Sequence, residues 1–173
     1  MRTILVLVAL AATLAGVAGA TSSKKFVSKR YSYSIVLPAD WTSSAASTSW
    51  QGGPPFQDPP EVDLYDAADG RSFAVAARKL PTPTTTLRQW ATVYVGAAVP
   101  SFCKKSRGYR ATTLGGVPAL AFTGHCEVHD INVELTIRDG RGYAFALASP
   151  GANSEAADGA VFEAARRSFH FVR

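Results

Sequence analysis

The chain has 173 residues, 18 basic and 13 acidic, for a formal charge of +5, and only two cysteines. That length suits one domain around a single core. The basic excess is mild and falls short of the dense patches that mark nucleic-acid binders, so no nucleic-acid partner is expected.

Residues 1–20 read as a cleavable secretory signal peptide. Arg2 supplies the positive start, residues 4–17 carry no charge, and Ala18-Gly19-Ala20 places small residues where a signal peptidase cuts, before Thr21. The apolar run is shorter than the ~20 residues a spanning helix needs and lacks a basic stop-transfer flank. The expectation is a secreted protein, extracellular or periplasmic, with no stable membrane insertion after cleavage. The first cysteine is Cys103, so none stands at the cleavage site to accept a lipid. In an oxidising space Cys103 and Cys126 are expected to pair as a disulfide. Closing that loop is worth roughly 3 kcal/mol in the loop-entropy account. Neither cysteine lies in a C-x-x-C motif, which makes a reactive thiol the lesser reading.

Residues 21–30 are polar and basic and read as a flexible leader, leaving residues 31–173 as the domain. Tyr31, Tyr33, Ile35 and Leu37 then alternate as one face of a strand, which Pro38 stops. Residues 42–60 are the least regular segment, with four prolines and two glycines near their end. Trp50 and Phe56 in that loop are the candidate binding anchors. The plainer reading is that its aromatics pin the loop to the core. Residues 61–80 read as a hairpin turning at Asp69-Gly70.

Thr86 and Gln89 form a capping-box pattern, and Leu87, Trp90, Ala91, Tyr94, Val95 and Ala98 recur at helical spacing until Pro100. Strands return over residues 117–126, with a turn expected near His129-Asp130. Ile131, Val133, Leu135 and Ile137 alternate with Asn132, Glu134, Thr136 and Arg138, which predicts one apolar face and one wet face. A turn at residues 139–142 leads to a return strand through Tyr143, Phe145 and Leu147. Residues 155–167 form an alanine-rich helix with Arg166 and Arg167 late, as the helix dipole favours, and residues 169–172 read as a closing strand.

No chemistry stands out along this order. There is no G-x-S-x-G elbow, phosphate loop or H-E-x-x-H motif. A serine triad is not excluded by spacing alone, since its members come from distant positions. The densest polar cluster, His125-Cys126-Glu127-Val128-His129-Asp130, has metal-ligand residue types. On an extended strand, however, its histidines lie about 13 Å apart, at ~3.3 Å per residue. Asp58, Glu61, Asp63, Asp66 and Asp69 do not follow the EF-hand spacing. No metal site, catalytic residue or cofactor is therefore assigned. The basic groups Lys24, Lys25, Lys29 and Arg30, then Lys104, Lys105, Arg107 and Arg110, then Arg166, Arg167 and Arg173 read first as solvated charge. An anionic surface is the alternative.

Several segments resemble the PsbP-like superfamily: Tyr33-Ser34-Ile35-Val36-Leu37-Pro38-Ala39-Asp40-Trp41, the helix start at Leu87–Trp90, Gly115-Gly116-Val117-Pro118-Ala119, Gly142-Tyr143-Ala144-Phe145 and Arg167-Ser168-Phe169-His170-Phe171. That group includes an extrinsic photosystem II protein, a Ran-binding import factor and exported bacterial proteins. The resemblance implies an α+β architecture, an antiparallel sheet with helices packed on its faces in an α/β/α sandwich, and no shared active site. The Cys103–Cys126 pair is not part of that pattern. The expected function is a non-catalytic exported binding or accessory protein, with a protein or cell-envelope partner of unknown identity. A small-molecule, cation or polyanion binder is the alternative, and a hydrolase built from His125 or His129 with Asp130 is a lesser one.

Overall fold

The computed structural model describes residues 22–53, 58–101, 103–105, 108–151 and 155–172. In chain order the elements are β1 (Ser23–Ser28), β2 (Tyr33–Pro38), β3 (Thr42–Ser44), β4 (Asp63–Asp66), β5 (Ser72–Lys79), α1 (Leu87–Ala98), β6 (Lys104–Lys105), β7 (Arg110–Leu114), β8 (Val117–His125), β9 (His129–Arg138), β10 (Arg141–Pro150), α2 (Glu155–Ser168) and β11 (His170–Phe171). All strand pairs are antiparallel. A large sheet runs β3-β4-β5-β10-β9-β8-β6, with β7 also on β8, and a small one runs β1-β2-β11.

Register sorts the large sheet into two faces, because successive side chains point to opposite sides. Phe145 of β10 stands level with Val75 of β5 and Glu134 of β9, so these share one face with Phe73, Tyr143 and Leu147. Ala144, Ala146 and Ala148 lie level with Ala76, Ala74 and Ser72 and with Leu135, Val133 and Ile131, and these make the other face. Phe162 and Phe169 of the α2 region pack on Phe145 at ring separations of 5.3 and 5.6 Å. Phe169 also stacks on Tyr33 of the small sheet at 5.1 Å. The opposite face takes α1, whose buried residues are Trp90, Ala91 and Tyr94. Close approach there depends on Gly142, where a Cβ would fall 2.6 Å from the Trp90 indole.

Much of the expected order is present. The capping box of Thr86 and Gln89 is formed at the start of α1. Asp139 and Gly140 both take positive φ, 50° and 70°, in the tight turn joining β9 to β10, as right-handed strand twist favours.

Three expectations are corrected. The leader at residues 21–30 is not flexible over its length: Ser23–Ser28 form β1, paired residue for residue with β2. Only one face of this edge strand needs cover, and Phe26 supplies it, 5.0 Å from the Tyr65 ring. Its exposed Lys24 and Lys25 suit an open sheet edge. The outer face of β9 is not wet either, for Glu134 and Thr136 are fully buried. Their alternation is real, but α2 covers the polar side. Finally, the turn expected near His129-Asp130 falls earlier. His129 and Asp130 already belong to β9, and the Cys126 N–H donates to the His129 carbonyl at 2.9 Å to close the turn.

Candidate functional site: an apolar pocket beside α1

The α1 face of the large sheet is paved with small side chains. Ala74 and Ala76 of β5 and Ala144, Ala146 and Ala148 of β10 lie side by side on this face, and α1 leaves part of it uncovered. A cavity of about 290 Å³ remains over this alanine floor. Trp50, Val62 and Tyr94 form one wall, and Ala98, Val99 and Pro100 carry it past the end of α1. Ile131, Val133 and Leu64 complete the apolar lining, and the polar side chains at its edge are Ser72 and His129.

Trp50 is held firmly. It is 3% exposed, its Nε1–H donates to the Gly53 carbonyl at 2.9 Å, and its ring meets both Trp90 and Tyr94 edge-on at 5.9 Å. Its backbone N–H donates to the Tyr31 hydroxyl at 3.1 Å, and that hydroxyl in turn donates to the Glu61 carbonyl. Arg30 fastens the same loop through the carbonyls of Ala46 and Ser47. Trp50 thus pins the loop to the core, as the plainer reading of this segment has it, and also lines the pocket. Burial raises the Tyr94 phenol above its ordinary range, so the wall it forms stays neutral. Phe56, the second anchor expected in this loop, lies outside the described residues.

Cys103 and Cys126 form the expected disulfide. It ties the segment after α1 to the turn between β8 and β9, next to the pocket rim at Pro100 and His129. The polar cluster is divided by the pleat. His125 Nδ1 and Asp130 Oδ1 are 3.0 Å apart, whereas His129, adjacent to Asp130 in the strand, projects to the other face and lines the pocket. Asp130 stands between His125 and the buried Ser149 in the register of three strands. A triad needs the imidazole in the middle, and here the acid occupies it.

The acidic residues do not converge. Asp63 is buried and accepts from the Tyr33 hydroxyl at 2.8 Å and the Ala46 N–H at 2.8 Å. Asp66 accepts from Ser72, Asp69 from Arg71, and Glu61 from the Gln51 N–H. The basic groups sit on different elements: Lys24 and Lys25 on β1, Lys104 and Lys105 on β6, Arg110 on β7, and Arg166 and Arg167 on α2. Arg107 and Arg173 lie outside the described residues. A wider cleft of about 610 Å³ between the β1–β2 turn and β3 gathers Lys29, Arg30 and Arg141. Its Arg30 is already committed to the loop carbonyls.

The sequence signal for the pocket was hidden in plain residues. An alanine on a half-buried strand looks like filler until register places five of them side by side.

No family profile and no curated protein sequence matches the chain. Its architecture does match solved structures. The cyanobacterial PsbP (CyanoP) of Synechocystis sp. PCC 6803 superposes with a TM-score of 0.58 at 15% identity, covering 90% of this chain and 96% of that one. The fold is PsbP-like. The Ran-binding protein Mog1p of Saccharomyces cerevisiae gives 0.53 at 13% identity, over 88% of this chain and 96% of its own. A protein of Bacteroides thetaiotaomicron VPI-5482 gives 0.52 at 14% identity, over 87% of this chain and 48% of its own. The PsbP-like fold accounts for the two helix-covered faces. Among the described residues no helix is long and apolar enough to cross a membrane.

Proposed function

We propose that this is an exported binding protein without chemistry of its own, and that it takes an apolar small molecule, or the apolar end of a cell-envelope component, into the pocket beside α1. The observation that carries this reading is the cavity of about 290 Å³ over the alanine floor, walled by Trp50 and Tyr94. Apolar cavities of only about 150 Å³ stay dry and accept benzene-sized molecules, and ligand sites begin at roughly 300 Å³. An apolar body inside with one polar group near Ser72 and His129 fits the distribution of the lining.

The disulfide and the signal-like residues 1–20 support an exported role. Each buried methylene of a ligand contributes about 0.8 kcal/mol, so short aliphatic chains should bind measurably.

The test is quenching of indole fluorescence by a brominated medium-chain alcohol, since Trp50 lines the pocket, Trp90 packs behind it at 5.9 Å and Trp41 packs elsewhere, near Phe73. Saturable, partial quenching is expected, and Ala146→Phe, which fills the floor, should abolish it. Linear quenching of equal slope in both proteins would count against the pocket.

A further inference from the structure

The turn between β8 and β9 sets Cys126 and His129 three residues apart across a closed backbone hydrogen bond of 2.9 Å. The strand geometry that keeps histidines apart does not apply to this pair. A Cys-x-x-His step across a tight turn is the spacing at which two side chains can chelate one ion. The third member comes from the segment after α1, where the Cys103 N–H donates to the Pro100 carbonyl at 3.0 Å. The Sγ atoms of Cys103 and Cys126 and a ring nitrogen of His129 all lie within 4.8 Å of one another, and all three residues are half-buried.

From this geometry we propose that the reduced protein binds one thiophilic divalent cation, of the zinc class, through Cys103, Cys126 and His129, and that the disulfide masks this site. In the oxidised state the sulfurs are 1.98 Å apart and bonded to each other, so they offer no thiolate. Reduction by a dithiol breaks the S–S bond. Two electrons and two protons pass to the cysteines while the donor becomes a disulfide. Two thiolates on one tetrahedral ion bonded at ~2.3 Å sit about 3.8 Å apart, so the freed sulfurs need only part enough to hold one ion between them. Binding then releases both thiol protons to solvent. Three protein ligands leave a fourth position for water, the arrangement of an open rather than a closed zinc site. Because His129 also lines the apolar pocket, a bound ion would stand at its rim. The site does not depend on what the pocket holds.

The experiment titrates the purified protein with Co²⁺ as a spectroscopic stand-in, before and after reduction with a phosphine, and follows thiolate-to-metal charge-transfer absorption. One equivalent is expected to give the band in the reduced protein, and none is expected in the oxidised protein. His129→Ala should weaken binding at least as much as losing an outer-shell partner does, roughly 10- to 100-fold. No band in a reduced protein of native circular dichroism would overturn the proposal, and so would a titration that His129→Ala leaves unchanged. If reduction unfolds the chain, the readout becomes refolding on adding Zn²⁺. Recovery of the native spectrum in the wild type but not in His129→Ala supports the site, and no recovery in the wild type overturns it.

Discussion

Glu134 lies under α2 with no exposed surface, and its carboxylate has the Thr112 hydroxyl and the Arg166 guanidinium as polar neighbours to offset part of the loss of water. Burial pushes its pKa up to about 7, with the Arg166 guanidinium drawing it back. Arg166 is 3.8 Å away and also bound to Glu163. Between the ordinary carboxylate pKa and about 7 the folded protein therefore holds a proton that the unfolded chain has released. Stability from this group is complete at low pH and is lost as pH rises through that window. Glu134→Gln should flatten this slope. In urea titrations at pH 5 and pH 8, the wild type is expected to lose more stability than the variant on going to the higher pH, by at most about 3 kcal/mol. A difference of the opposite sign would show that the buried carboxylate is stabilised as an anion. The sequence placed Glu134 on a solvated face because period-two alternation reports which side is polar, not which side is covered.

At the scale of elements, the local signals were the readable ones. Thr86 and Gln89 satisfy each other's backbone donors within one turn, so their pattern needs nothing from the rest of the chain. Thr86→Ala should cost about 1 kcal/mol, read as a lower midpoint in thermal or urea unfolding; no change would mean that α1 is held by Trp90 and Tyr94 alone. The strand β1 was unreadable for the converse reason. It has few apolar residues, and its order comes from a ladder with β2 and one aromatic contact across to β4. The β8–β9 turn was misplaced by two residues because Glu127-Val128 carries none of the glycine, proline or asparagine that marks turns, and strand pairing decides it instead.

At the scale of the whole molecule, the fold was readable from a handful of short segments in the right order, and PsbP-like structures superpose on the chain at only 13–15% identity. The pocket was not readable. Its floor, walls and rim come from β5, β10, β9, the end of α1 and the Trp50 loop, so it exists only once the register of three strands and the seat of one helix are known. Trp50 stood out in the sequence as a loop aromatic that either pins the loop to the core or anchors a partner, and its burial fits the first reading. A second apolar groove, lined by Ala160, Ala164 and Val36 between α2 and β2, lies on the other side of the molecule and is the natural rival. Alanine-methyl NMR during titration with a medium-chain alcohol separates the two. Saturable shifts are predicted at Ala74, Ala146 and Ala148, with Ala160 and Ala164 unmoved; shifts confined to Ala160 and Ala164, or none at the floor, would contradict the assignment of the binding site to the pocket beside α1.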